Sequence, residues 1–253
     1  MKIAYAGFDL FYPVLENLYK NGCEIVKIFS CKVDNVTEFN TQVADFAKEH
    51  AIDLSYDRIT KDDLNQLKNM GVDALFCAAY YYRIPITSEF AMINVHPSLL
   101  PQGRGAWPMP VYILNDMKTA GITFHKIAED FDNGDIIMQK SFELTQSDNL
   151  ETFMQKAYEL IPDMIHELLS DFDNYYKNAV PQENGEYWQC PNEDDYIIDK
   201  NTTYEEADRI TRAFYGFYIT YDDGKTQHKL LYSQAYKGDN TYRKFKIKDG
   251  YIN

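Results

Sequence analysis

Between residue 2 and about residue 90, short apolar runs alternate with stretches whose apolar positions recur at helical spacing, the pattern of βα units feeding a parallel sheet. Residues 3–6 are uniformly apolar, and Gly7 behind them permits a tight turn. Pro13 suits a first helical position and opens a predicted helix to Asn21, stopped by Gly22, and residues 25–29 read as the second strand. Asn35, followed three residues later by Glu38, predicts the cap of a helix whose Val43, Phe46 and Ala47 share one face and which ends near His50. A short strand is expected near residues 52–55. Thr60 with Asp63 opens a further helix to about Asn69, Gly71 ends it, and residues 73–78 form the next strand.

Residues 93–96 predict a strand that Pro97 ends, a short helix spans residues 108–114, and residues 121–127 alternate as a strand with 136–142 as antiparallel neighbour. Asp148 and Glu151 predict the cap of a long helix over 150–169, where Phe153, Ala157, Leu160, Ile161, Met164 and Leu168 form a broad apolar stripe. Residues 170–184 are polar, include Pro181, and read as a linker. Beyond them, Thr203 and Glu206 predict a capped helix to about Phe214; aromatic-rich strands at 217–221 and 229–236 come with turns at Asp222-Asp223-Gly224 and Asp249-Gly250. A two-stranded ribbon holds itself together poorly in water, so this region is expected to pack on the main domain or on a second subunit. The expected fold class is α/β: a Rossmann-like, doubly wound, mostly parallel sheet in a catalytic domain over residues 1–180, with a small C-terminal helix plus β-hairpin unit over 185–253.

Composition narrows the function. With 253 residues, 45% of them hydrophobic, the chain can bury a sizeable core. No run is apolar for long enough to span a membrane, and the N-terminus lacks the apolar run and small-residue cleavage site of a signal peptide, so a cytoplasmic protein with no membrane partner is expected. Cys23, Cys31, Cys77 and Cys190 are too scattered for a zinc site or a disulfide framework, and no metal is expected. A net charge of −14 argues against gripping a nucleic acid by its phosphates, which is work for Lys and Arg, although two or three local cations can still hold a small phosphorylated ligand. Gly7 stands outside any Gly-x-Gly-x-x-Gly or Gly-x-x-x-x-Gly-Lys pattern, so neither a dinucleotide site nor a P-loop is supported.

One stretch concentrates the chemistry. Asn94 and His96 are two positions apart on a predicted strand, hence on one face, at the carboxyl end where open α/β sheets bind ligands. Pro97 breaks the pairing there, and the loop to Pro110 is rich in Pro and Gly. An amide beside an imidazole is a candidate catalytic pair that still needs a third group. Tyr80, Tyr81, Tyr82 and Arg83 gather at another strand end, where core packing and pocket lining account for them equally well.

The ordered set Asn94-x-His96-Pro97-Ser98-Leu99-Leu100-Pro101, Arg104-Gly105 with Pro108, Thr123-x-His125 and Asp132-x-Gly134-Asp135-Ile136 resembles the formyltransferase family that uses N10-formyltetrahydrofolate, over roughly residues 1–170. The resemblance implies a catalytic triad of Asn94, His96 and Asp132. Formyl transfer is attack by a neutral amine on an amide-like carbonyl carbon, with an oxyanion forming on the way. An Asn amide can donate a hydrogen bond to that oxygen, and an imidazole can take the amine proton and pass it to the departing folate nitrogen. The carboxylate of Asp132 would orient the ring and favour its charged form, and Gly134 would let its loop turn sharply. Folate is implied as co-substrate, its pterin against Tyr82, Arg83, Ile84 and the loop that carries Asp130 and Gly134. His125 fits a family position, yet a histidine inside an alternating strand reads first as a packed, hydrogen-bonded residue.

Acceptors in this family are methionyl-tRNA, glycinamide ribonucleotide and nucleotide-linked amino sugars. The acidic charge weighs against tRNA, and residues 185–253 do not read as the larger basic barrel expected of a methionyl-tRNA enzyme. Glycinamide ribonucleotide enzymes end soon after the catalytic domain. Residues 191–199, Thr202 and 210–214, together with the loop 104–110, resemble the sugar N-formyltransferases. The implied reaction formylates a dTDP-, UDP- or GDP-linked 3- or 4-amino-dideoxy sugar for bacterial surface polysaccharide (O-antigen). Arg104 with Gly105 is expected at the pyrophosphate, Phe8 and Asp9 at the border of the sugar, and a homodimer built partly from the C-terminal unit is implied. Two alternatives stand beside this: a methionyl-tRNA formyltransferase, and a formyltetrahydrofolate hydrolase using water as acceptor. The hydrolase is expected to carry a regulatory domain ahead of the catalytic one, whereas Met1 leads straight into the first strand.

Overall fold

The computed structural model describes residues 1–238 and 245–253. These form two compact units: Met1–Arg104, Gly121–Ser141 and Ala157–Glu186 make the first, and Gly105–Ala120, Phe142–Lys156 and Tyr187–Asn253 the second. Residues 105–120 and 142–156, assigned from sequence to the domain 1–180, therefore group with the C-terminal residues.

In the first unit β1 (Lys2–Gly7), α1 (Tyr12–Lys20), β2 (Glu24–Phe29), α2 (Thr41–Glu49), β3 (Asp53–Ser55), α3 (Lys61–Asn69), β4 (Ala74–Ala78) and β5 (Ala91–His96) alternate. The later elements are α4 (Pro108–Leu114), β6 (Thr119–Lys126), β7 (Ile136–Glu143), α5 (Leu150–Ser170) and α6 (Phe172–Lys177). One seven-stranded sheet runs β3-β2-β1-β4-β5-β6-β7, parallel through β5, with β6 antiparallel to it. The expected class holds: a mostly parallel, Rossmann-like α/β sheet whose strand order reverses between β1 and β4. All five residues of β4 are buried, as in a strand covered on both faces. One side of the core packs Phe29, Leu75 and Met92 with Leu64 and Leu67 of α3.

Local signals set most boundaries, and tertiary contacts moved the others. α3 opens on the predicted Thr60–Asp63 capping box. α2 does not start after Asn35: the Asp34 carboxylate accepts from the amides of Val36, Thr37 and Glu38 at 2.8–3.1 Å and closes that segment into a turn. The first amides of α2 go instead to Asp9, which accepts from Gln42 and Val43 at 3.0 Å and from the Thr41 hydroxyl at 3.1 Å. The cap of α5 is Asn149, one residue later than expected, with its Oδ1 accepting from Thr152 N (2.9 Å) and Thr152 Oγ1 accepting from Asn149 N (3.0 Å). Asp148 is occupied by Thr145 and Lys156.

The predicted linker 170–184 is built into the first unit. It contains α6; the Tyr176 hydroxyl accepts from Met92 N at 3.2 Å, and Val180 exchanges two 2.8 Å backbone hydrogen bonds with Ile136.

In the second unit α4 packs against α7 (Tyr204–Ala213), which opens on the predicted Thr203–Glu206 capping box. Trp107 sets its ring against Phe214 and Phe217, and Trp188 lies on Tyr112 with centroids 4.9 Å apart. Buried Pro108, Met109, Tyr112 and Ile113 give α4 the apolar face that draws residues 105–120 into this unit. The expected hairpins become two three-stranded sheets, β10-β9-β8 and β11-β13-β12. Their strands are β8 (Ile197–Asp199), β9 (Ile219–Asp222), β10 (Gln227–Leu230), β11 (Ala235–Lys237), β12 (Phe245–Lys246) and β13 (Gly250–Ile252). The single strand predicted over 229–236 is split at Tyr232, whose φ of +54° lies outside extended backbone.

Candidate active site

The antiparallel register of β5 and β6 sets Asn94 opposite His125 and His96 opposite Thr123. Opposed residues, and residues two apart, share a face, so four polar side chains meet at the carboxyl end of β5. Thr123 fixes the chain that follows: its hydroxyl donates to Ser98 O at 2.6 Å and accepts from Leu100 N at 3.2 Å. That loop returns Gly103, with φ +71°, so that its carbonyl accepts from His96 Nε2 at 2.8 Å.

Asp132 arrives from the loop between β6 and β7, with φ +53°. The loop is pinched at Gly134, where a Cβ would overlap the backbone carbonyl of Lys126, so only glycine fits. Lys126 N donates to Asp135 O at 2.9 Å across the same pinch. Asp132 Oδ1 then lies 3.6 Å from His96 Nδ1, 3.5 Å from His125 Nε2 and 3.3 Å from Asn94 Nδ2. The three residues expected to form a triad are thus together, around one carboxylate oxygen.

Carbonyl partners dictate the proton positions. His125 Nδ1 faces Lys126 O at 2.8 Å and must donate; in the neutral ring Nε2 is then an acceptor for the Asn94 amide NH2 at 3.0 Å. Turning that amide over would set its oxygen against a bare ring nitrogen and a carboxylate, so the NH2 belongs where it is. In the same way His96 donates from Nε2 to Gly103, and Nδ1 carries the lone pair that faces Asp132. Burial holds the pKa of His96 below the usual histidine range; the Asp132 carboxylate and the Gly103 carbonyl oppose that shift, and His125 adds to it. His96 is therefore a neutral base at neutral pH.

Other expected site residues take different places. Ile84 is a core residue, Tyr82 sets its ring under the Arg58 guanidinium, and exposed Arg83 donates to the carbonyl of Glu129, next to exposed Asp130. Phe8, expected at the border of a sugar, is 1% exposed in the core cluster, and Asp9 accepts the first amides of α2. Arg104 is 6% exposed and directs Nε and Nη2 at Gln182 Oε1, at 3.0 and 2.9 Å. The residue expected at a pyrophosphate thus lies buried against Gln182. Gly105, with φ +121°, is needed for the backbone, since a Cβ there would stand 2.7 Å from Trp188 O.

His125, read as a packed residue, is packed and also belongs to the cluster. Gln182 also belongs to the site: its amide donates to Asp132 O at 2.9 Å and to Gly134 O at 2.6 Å. It lies in a polar stretch without periodicity, and no sequence signal marks it. Among the described residues no group of His, Cys, Asp and Glu is disposed to hold a metal ion.

Residues 1–169 match the family profile described as formyl transferase. A methionyl-tRNA formyltransferase of Ehrlichia ruminantium is 34% identical over 190 residues, 74% of this chain and 61% of that protein. This chain thus spans under two thirds of the curated relative's length. Among solved structures, a 4-N formyltransferase from Francisella tularensis superposes with a TM-score of 0.72 at 22% identity, covering 91% of this chain and 96% of the other. An N-formyltransferase from Helicobacter canadensis, solved with folinic acid and dTDP-3-aminofucose, gives 0.71 at 22% identity, covering 100% and 98%. At these identities the structures establish the shared fold, and the match over residues 1–169 establishes the lineage: the chain belongs to the formyl transferase family.

Proposed function

We propose that the protein transfers a formyl group from N10-formyltetrahydrofolate to the amino group of a nucleotide-linked 3- or 4-amino-dideoxy sugar. The observation that carries this reading is the meeting of Asn94, His96 and Asp132 within 3.6 Å at the carboxyl end of β5. In the reaction the amine nitrogen bonds to the formyl carbon, the bond from that carbon to the folate nitrogen breaks, and the amine proton ends on the folate nitrogen. His96 carries the proton. With Nε2–H given to Gly103, its basic atom is Nδ1, and a proton taken there is held against Asp132 Oδ1. Asn94 supplies the donor for charge developing on the formyl oxygen; its 3.3 Å contact to Asp132 is the longer of its two and the one most easily given up.

The two segments expected to border the pterin, 79–85 and 128–135, are tied together where Arg83 binds the Glu129 carbonyl, which suits a ligand spanning them. Support for a sugar acceptor is the fold likeness over 96% and 98% of the two N-formyltransferase structures; the one from Helicobacter canadensis matches the whole of this chain, residues 187–253 included. The net charge of −14 adds to it. The name of the 34% identical relative makes methionyl-tRNA the second acceptor to test.

The test offers the purified protein, with N10-formyltetrahydrofolate, a panel of dTDP-, UDP- and GDP-linked amino sugars, methionyl-tRNA, and water alone. Gain of one formyl mass by a sugar supports the proposal. Formylation of the tRNA instead, or release of formate in water at the full rate, overturns the acceptor assignment.

A further inference from the structure

Gln182 spends its whole hydrogen-bonding capacity on the loops of the site. Its two amide hydrogens go to Asp132 O and Gly134 O, and its oxygen accepts twice from Arg104, at 3.0 and 2.9 Å. The segment that carries it is fastened at both ends. Val180 exchanges two backbone hydrogen bonds with Ile136 of β7, while Glu186 donates to Pro101 O and accepts from Arg104 N. Gly185 leaves the room in which the Arg104 guanidinium lies, since a Cβ there would overlap it. Arg104 directly follows Gly103, whose carbonyl orients His96. One amide therefore joins the loop that fixes the His96 ring to the loop that presents the Asp132 carboxylate.

We infer that Gln182 is a positioning residue for the reaction, holding Asp132 at its distance from His96 through the Arg104–Gln182–Asp132 link. It touches neither the reacting atoms nor the ring; it acts through the backbone of Asp132, a residue kept at φ +53°. Such a conformation persists where the surroundings determine it, and here Gln182 holds the carbonyl of Asp132 itself and that of Gly134 two residues on. This inference rests on the proposed formyl transfer for its kinetic consequence but not for its structural one.

The experiment measures kcat and KM for the wild type, Gln182→Leu, Asp132→Asn and the double variant, with the amino sugar found to be the acceptor. Misplacing a catalytic group by about 1 Å costs up to about a hundredfold, so Gln182→Leu should lower kcat by roughly tenfold to a hundredfold with KM nearly unchanged. Because the residue acts through Asp132, the double variant should be no slower than Asp132→Asn alone. An equal loss in both backgrounds, or an unchanged kcat, overturns the inference. Should Gln182→Leu fail to fold with a buried guanidinium short of an acceptor, Arg104→Met/Gln182→Leu removes both partners and gives the same kinetic comparison. A histidine NMR titration decides the matter without turnover. The groups facing His96 are Asp132, His125 and the Gly103 carbonyl, and a retreating Asp132 lets its pKa fall in Gln182→Leu. An unchanged His96 pKa contradicts the inference even if no acceptor is ever formylated, an outcome that would sink only the proposed function.

Discussion

At the scale of single residues, the site is a set of hydrogen-bond donors and acceptors with little freedom left. His96 has a depressed pKa from burial, so its neutral form persists below the range of an exposed histidine. The rate should fall only on the acid side, and because Asp132 raises the His96 pKa, Asp132→Asn should move that acid limb to still lower pH. A limb that stays put in the variant would break the link between the two groups. Stability has its own sign. Between the folded and the higher unfolded pKa the unfolded chain holds a proton that the folded chain lacks, so folding strengthens with rising pH in that window, and His96→Gln should flatten the slope in urea titrations. Gly134→Ala should inactivate the protein, because the new methyl overlaps the Lys126 carbonyl and the loop carrying Asp132 must shift. Normal turnover by that variant would show that the loop geometry is dispensable.

Elements show where local rules suffice. Thr60–Asp63 and Thr203–Glu206 were legible as caps because donor and acceptor are three residues apart and nothing distant competes. The start of α2 was not legible, because its cap is Asp9, more than 30 residues upstream, while Asp34 diverts the nearer signal into a turn. Asp9→Ala should therefore destabilise the fold by about 1–2 kcal/mol, a typical cost of losing a cap, and Asn35→Ala, which loses one 3.3 Å contact to Asn40 N and puts Ala at φ +54°, should cost less. Equal midpoints for the two variants in chemical denaturation would refute that assignment. The same contrast holds in the site. Asn94 and His96 could be paired from strand periodicity alone, and Asp132 needed the family pattern. Gln182 and the burial of Arg104 depend on a polar stretch folding back, which no spacing encodes.

At the scale of the whole molecule, a mostly parallel sheet places the triad at a strand end, where ligands of such sheets are bound. Among the described residues no helix is long and apolar enough to cross a membrane. The second unit leaves Tyr218, Leu231 and Tyr232 exposed at 46%, 40% and 62%, apolar surface of the sort that subunit interfaces cover. The homodimer expected from the family likeness should appear in light scattering at twice the 29.5 kDa chain mass; a monomer at micromolar concentration would count against it. The central claim, that the triad moves a formyl group between two nitrogens, is met most directly by following the carbon itself. With the formyl carbon of N10-formyltetrahydrofolate labelled by 13C, the wild type should place the label on the sugar nitrogen, and His96→Ala should leave it on the folate. Label released as free formate by the wild type, or transferred by His96→Ala at the wild-type rate, would contradict the claim.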